Sequence, residues 1–166
     1  MSILIYAFSN HWGTNISHRT LLELEKMIPN VDFQLITWHP QSFFRKHIEF
    51  NNYSLIIGLG DGLRNLSKIK IETQAKNAYN DKEIYPFSPI LLDLSMPAVD
   101  NYDSNFFQIG SNIGTHNCNW IAYRTQLHLN QKNLDTKHLF LHLPPHFNAT
   151  LAATKIFDLL KDNQIT

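Results

Sequence analysis

The 166-residue chain has a single cysteine, Cys118, and so cannot form an internal disulfide. A lone cysteine also excludes a cysteine-rich zinc ribbon, and it is typical of a reducing compartment. Charged residues are scarce, at 17% of the chain, and the 14 basic side chains balance the 14 acidic ones. A neutral chain offers no electrostatic surface to a polyanion or to anionic lipid, so we expect neither nucleic acid nor a membrane as a partner.

Long apolar runs are also absent. The first apolar segment, Ile3–Phe8, ends at the polar residues Ser9 to His11 and is far shorter than the roughly 18 residues that a membrane span needs. No basic segment precedes it, as one would in a secretory signal. Hydrophobic residues still make up 43% of the chain, which is enough for a core. We therefore expect one cytoplasmic domain over residues 1–166, with Ile3–Phe8 as its first strand.

The hydrophobic pattern alternates between strands and helices. Apolar runs at 3–8, 31–38, 53–59, 106–109 and 139–143 predict strands, and helical periodicity predicts helices at about 17–28, 41–50, 118–130 and 149–161. This alternation predicts an α/β fold: a single three-layer α/β/α domain with a mostly parallel central sheet. Residues 68–76 read as one further strand, with Glu72 on the face opposite Ile69 and Ile71. Between 78 and 103 we expect loops with one short strand near 90–94.

Three side chains combine into a candidate cysteine hydrolase site. Cys118 follows a polar loop and opens a helix, where the free N–H groups and the helix dipole favour a thiolate and can also bind an oxyanion. A cysteine nucleophile needs a histidine base and a group that orients it. His142 stands at the end of the last strand, where functional loops meet, and Glu72 is an available carboxylate. Taken singly, each has an ordinary explanation: a buried thiol, a hydrogen-bonded core histidine and an exposed strand carboxylate.

A zinc site is the first alternative. His138, His142 and His146 are four residues apart, a spacing that aligns ligands on one face of a helix. Pro144 and Pro145 forbid that helix, and on a strand His146 lies beyond the break. We expect no metal ion and no organic cofactor.

A nucleotide site is the second alternative. Gly58, Gly60 and Gly62 follow a strand, but the dinucleotide fingerprint has its third glycine one place later, where Leu63 stands. The lysine of a phosphate-binding loop is missing too. The three glycines are better explained as a wall of the site or as a strand-to-helix turn.

Three segments resemble the pyroglutamyl peptidase I family, the pyrrolidone-carboxylate peptidases. The segment Ser111-Asn-Ile-Gly-Thr-His-Asn-Cys-Asn119 is similar to the family's nucleophile motif, Ser-Asn-Thr-Ala-Gly-Thr-x-x-Cys-Asn, with one residue missing. Phe140-Leu-His-Leu-Pro144 resembles its histidine motif, Phe-x-His-x-Pro, and Ile71-Glu-Thr-Gln-Ala-Lys-Asn77 resembles its glutamate motif, Leu-Glu-x-x-Ala-x-Asn. Residues 7–17 are similar to the family's N-terminal motif but match it less completely.

The resemblance implies a cytosolic cysteine peptidase that removes an N-terminal 5-oxoprolyl group from a small peptide or amide. Cys118, His142 and Glu72 would form its catalytic triad without a cofactor. Family members assemble as dimers or tetramers, so the resemblance leaves a homo-oligomer open.

The substrate-binding positions of the family are only partly matched. Phe8 and Trp12 correspond to the aromatic residues that pack on the substrate ring, and Leu59 replaces a polar side chain. His116 and Asn117 stand where the family has an aromatic or apolar pair, and the segment between Glu72 and Cys118 is shortened. These departures leave two alternatives open: a relative that hydrolyses another small amide or ester, or a homologue that only binds a ligand.

Overall fold

A computed structural model describes residues 2–165 of the chain. Its main sheet and flanking helices run in the order β1 (Ile3–Phe8), α1 (Ile16–Met27), β2 (Asp32–Ile36), α2 (Pro40–Phe43), β3 (Leu55–Asp61) and β4 (Ile69–Glu72). They continue with β5 (Gln74–Lys76), β6 (Leu91–Asp93), β7 (Phe107–Gly110), α3 (Asn117–Lys132), β8 (Lys137–Leu143) and α4 (Ala149–Asp162). Helix α2 runs directly into a π-helical turn, Phe44–Ile48. No helix of the described part is long and apolar enough to cross a lipid bilayer.

The central sheet has six strands in the order β2-β1-β3-β8-β4-β7. Neighbouring strands are parallel throughout, except that β4 runs antiparallel to β8. The expected mostly parallel sheet is therefore confirmed. Parallel strands with helices on both sides are apolar on both faces, which explains the continuous hydrophobic runs of β1, β3 and β8.

Two hydrophobic cores lie on the two faces of this sheet. Helices α1 and α4 cover one face, with Leu24 and Ile156 buried against Ile57 and Leu141. The helices α2 and α3 and the π-helical turn cover the other face, where Tyr123 and Phe44 pack near Phe140. The predicted three-layer α/β/α domain is the observed one.

Two predicted elements differ from the structure. The single strand predicted for 68–76 is divided at Thr73, because β4 stays in the central sheet while β5 leaves it to pair with β6. Thr73 donates its N–H to Gly110 O in one direction and accepts from Leu94 N in the other, so it stands between the two sheets. The helix predicted for 41–50 is the short α2 followed by the π-helical turn. The short strand expected near 90–94 is present as β6.

Candidate active site

The three side chains of the predicted triad converge at one edge of the central sheet. His142 is the penultimate residue of β8, and Glu72 is the last residue of β4. The antiparallel register places Lys70 opposite His142, so Glu72 lies diagonally across from His142, within reach of a long side chain. Cys118 is the second residue of α3, whose N-terminus faces the same place.

His142 and Glu72 form a short, buried hydrogen bond. The distance from His142 Nδ1 to Glu72 Oε1 is 2.7 Å, and the carboxylate is inaccessible to solvent. A carboxylate only accepts hydrogen bonds, so the proton of the neutral imidazole lies on Nδ1 and Nε2 is left as the free base. Lys70 Nζ lies 3.0 Å from the same carboxylate oxygen and provides a counter-charge for this buried acid.

The Cys118 sulfur and the His142 imidazole both lie beside Gly60. A Cβ atom on Gly60 would lie 2.8 Å from Cys118 Sγ and 3.2 Å from His142 Nε2. Both atoms therefore pack against the bare backbone of β3. A side chain at this position would have to displace the sulfur, the imidazole or both.

The environment of Cys118 keeps its thiol protonated. Burial, together with the nearby carboxylates of Asp61 and Glu72, raises the pKa of Cys118 to about 12. The expectation of a thiolate at the start of α3 is thus wrong for the empty site. The helix N-terminus does favour a thiolate, but loss of solvation and two negative charges outweigh it.

The N-terminus of α3 is held in place without being capped. Among residues 2–165, no side chain accepts a hydrogen bond from the first turn of this helix. Asn119 instead bonds to β5, since its Oδ1 accepts from Lys76 N at 2.8 Å and its Nδ2 donates to Lys76 O at 2.9 Å. The first-turn N–H groups near Cys118 are therefore available to bind a negatively charged oxygen.

A cleft of about 280 Å³ opens over these side chains. Its apolar walls are Leu63, Leu66 and Ile113, and its polar lining includes His116. Its charged lining residues are Asp61, Lys70 and Glu72. The volume suits a small ligand rather than an extended chain.

The structure separates the predicted substrate-binding residues from one another. His116 lines the cleft, and its Nδ1 lies 2.9 Å from Asn80 Oδ1. Phe8 is partly buried and Trp12 is 79% exposed, and neither lines the cleft. Asn117 accepts a hydrogen bond from Tyr79 and also faces away from the cleft.

Leu59 does not line the cleft either. Its side chain is fully buried in the core under α1 and α4. Side chains alternate along a strand, so Leu59 and Gly60 face opposite sides of the sheet, and it is position 60 that meets the sulfur. The apolar run of β3 did not reveal which of its residues faced the site.

Sequence reasoning missed Asp61 and Lys70 as parts of the site, and it named Gly60 only as one of three glycines that form a wall of the site or a turn. A partial signal existed for Lys70, because strand alternation put it on the same face as Glu72. Asp61 lies in the segment 58–62, which we interpreted only through its three glycines.

The histidines of the zinc alternative do not come together. His138 is buried near the start of β8, with its Nδ1 3.3 Å from Gln126 Oε1, whereas His142 bonds to Glu72. Within residues 2–165 no group of three or more His, Cys, Asp or Glu side chains is arranged to hold a metal ion.

Comparisons with known proteins find a likeness in structure only. No protein-family model and no curated protein sequence matches the chain significantly. Among solved structures, a variant pyrrolidone carboxyl peptidase from the hyperthermophile Pyrococcus furiosus superposes with a TM-score of 0.82 and 16% identity, covering 99% of each chain. The pyrrolidone carboxyl peptidase from Thermococcus litoralis superposes with a TM-score of 0.80 and 17% identity, covering 99% of this chain and 93% of that one. The chain therefore has the fold of the pyrrolidone carboxyl peptidases.

Proposed function

We propose that the protein is a cysteine hydrolase that cleaves the amide bond after a small N-terminal acyl group, with Cys118, His142 and Glu72 as its triad. The observation that carries this proposal is the arrangement at Gly60. There Cys118 Sγ and His142 Nε2 both lie next to the backbone of Gly60, 2.8 Å and 3.2 Å from where a Cβ atom would stand, and the other ring nitrogen is bonded to a buried carboxylate at 2.7 Å. This order of nucleophile, base and orienting acid is the arrangement that acyl transfer needs.

His142 acts as a general base in the first step. Because the pKa of the thiol is raised to about 12, the sulfur loses its proton to Nε2 only as it attacks the carbonyl carbon. Glu72 holds the ring by its Nδ1 and stabilises the imidazolium that forms. The imidazolium then gives its proton to the leaving amine, and water hydrolyses the thioester.

The start of α3 provides the electrostatic part of the reaction. The tetrahedral intermediate carries a negative oxygen next to the attacked carbon, and the first-turn N–H groups near Cys118 are free to bind it. This stabilisation acts on the transition state and not on the resting thiol, so it is compatible with a protonated cysteine in the empty site.

The 5-oxoprolyl group is the acyl group that the resemblance to pyroglutamyl peptidase I implies. The fold and the small cleft support it. The second candidate, hydrolysis of another small amide or ester, is favoured by one observation: Phe8, Trp12 and Leu59, which correspond to the family's substrate positions, do not line the cleft. Both candidates use the same triad.

The test is hydrolysis of a fluorogenic 5-oxoprolyl amide by the purified protein with a reducing agent and a chelator present. We expect turnover that is abolished in Cys118→Ala and strongly reduced in His142→Gln. His146→Gln is the matched control, because His146 is an exposed histidine just beyond the same strand. Turnover that survives Cys118→Ala would contradict the proposed nucleophile.

A further inference from the structure

The cleft carries one uncompensated negative charge. Of its three charged lining residues, Lys70 and Glu72 form an ion pair at 3.0 Å and cancel each other. Asp61 forms no ion pair within the described residues. Among the Asp, Glu and Lys side chains of the cleft, Asp61 is therefore the one without a charged partner.

Hydrogen bonds hold one carboxylate oxygen of Asp61 in place, and the other oxygen accepts none from the described residues. Its Oδ1 accepts from Ser17 N at 2.9 Å and from Asn15 Nδ2 at 3.2 Å, at the N-terminus of α1. Its Oδ2 has no hydrogen-bond partner in residues 2–165, and the side chain is exposed at the cleft. A fixed carboxylate with a free oxygen is a ready acceptor for a cation or for an N–H donor.

Asp61 is also placed where it weakens the nucleophile when the cleft is empty. It lines the same cleft as Cys118, and its negative charge contributes to the raised pKa of that thiol. A positive charge bound to Asp61 would cancel this effect, because an opposite charge nearby removes the penalty on the thiolate. A cationic substrate would thus assist its own attack, whereas a neutral one would not.

We propose that the cleft selects substrates with an ammonium group beside the scissile carbonyl, and that Asp61 binds this group. The inference rests on the proposed function and names its substrate class: amides or esters of a free aminoacyl group. A prolyl amide and a 5-oxoprolyl amide both have a five-membered nitrogen ring, but the 5-oxoprolyl ring is a neutral lactam and only the prolyl ring carries an ammonium charge. Of the two, the prolyl amide is the better match to Asp61.

Asp61→Asn is the informative variant, because an asparagine Oδ1 still accepts from Ser17 N and keeps the anchor of α1 while the charge is removed. Asp93→Asn is the matched control. Asp93 is an exposed aspartate that also accepts one side-chain hydrogen bond, from Gln74 Nε2 at 2.8 Å, but it lies outside the cleft.

The first experiment measures charge selectivity at the sulfur and needs no turnover. Cys118 is the only cysteine, so methanethiosulfonates with a trimethylammonium or a sulfonate group label one site. We expect the labelling rate with the cationic reagent, divided by that with the anionic reagent, to be about tenfold higher for Cys118 than for free 2-mercaptoethanol. This ratio should fall at least about threefold in Asp61→Asn but not in Asp93→Asn. A ratio equal to that of the free thiol, or one that Asp61→Asn leaves unchanged, would overturn the inference.

The second experiment compares kcat/KM for prolyl and 5-oxoprolyl amides of the same fluorophore. We expect the intact protein to prefer the prolyl amide, and Asp61→Asn to shift the preference about tenfold toward the neutral ring. If the 5-oxoprolyl amide is preferred and Asp61→Asn leaves the preference unchanged, the inference is wrong and the proposed function stands. If neither amide is cleaved, the proposed function fails, and the labelling ratios alone decide whether Asp61 is an ammonium site.

Discussion

Gly60→Ala tests the geometry on which the triad depends. The new Cβ would lie 2.8 Å from Cys118 Sγ and 3.1 Å from His142 Cδ2, whereas ordinary contacts begin at 3.4 Å. The backbone of Gly60 is held by its pairing with His142 of β8, so the side chains must yield. The sulfur then has to retreat by about 0.6 Å or more, and the imidazole by a smaller amount.

The expected loss of activity follows from this displacement. A misplacement of about 1 Å costs about 100-fold in rate, so we expect kcat/KM to fall between about 10-fold and about 100-fold. Stability should change little. Gly60 does not have a positive φ, so alanine restricts the unfolded chain without strain and gains about 0.4–1 kcal/mol, which offsets part of the crowding.

The assay pairs turnover of the fluorogenic amide with thermal unfolding. Gly58→Ala is the contrasting variant, since its Cβ would meet Phe140 Cδ2 at 2.5 Å and Tyr6 OH at 2.6 Å inside the core. Overpacking there should cost about 1–3 kcal/mol of stability and leave more activity per folded molecule than Gly60→Ala does. Gly60→Ala with activity within threefold of the starting protein would refute the view that the sulfur and the imidazole react from these positions.

Three further predictions concern single ionisable groups. Since burial raises the pKa of Cys118 to about 12, its alkylation by iodoacetamide should be slow at pH 7 and accelerate about tenfold per pH unit up to at least pH 10, as followed by mass spectrometry; a plateau below pH 9 would contradict this. Glu72→Gln should lower kcat by about 10²- to 10⁴-fold, because the amide no longer fixes His142 or stabilises its imidazolium; turnover equal to that of the unaltered protein would remove Glu72 from the triad. Burial lowers the pKa of His138 to about 3, so its protonation favours the unfolded chain, and stability is complete above about pH 6.5 and is lost as the pH falls toward 3. Urea unfolding at pH 5 should show about 2 kcal/mol less stability from this group than at pH 8, and His138→Gln should remove that difference.

Much of the fold was predictable because parallel strands buried on both faces leave a clear pattern. The runs that became β1, β3 and β8 were continuous and apolar, and the helices between them showed one apolar side. The division of residues 68–76 was not predictable in the same way. The alternation of apolar and polar residues continues through Thr73. Only the pairing shows where the chain changes sheets, because β4 pairs with β8 and β7 whereas β5 pairs with β6.

The convergence of Cys118, His142 and Glu72 was predictable, but the surroundings of these side chains were not. The positions of Cys118 and His142 followed from the ends of elements, which local sequence reveals. The complete burial of Glu72 was not predictable, because it depends on the packing of β4 between β8 and β7 inside the assembled sheet. The predicted direction of the pKa shift of Cys118 was wrong for a similar reason, since burial and the charge of Asp61 are properties of the assembled cleft.

The protonated thiol and the charge of the cleft have one physical explanation. Two carboxylates next to the sulfur disfavour the thiolate as long as no substrate is bound, but catalysis depends on the state with substrate bound. After burial, the charge of Asp61 is the largest cause of the raised pKa of Cys118, and Glu72, which is paired with Lys70, adds to it. A substrate that brings an ammonium group removes the contribution of Asp61 when it binds, and its carbonyl brings the first-turn N–H groups of α3 into use. The raised pKa of Cys118 then contributes to substrate selectivity, because the thiol is harder to deprotonate when the bound amide carries no positive charge.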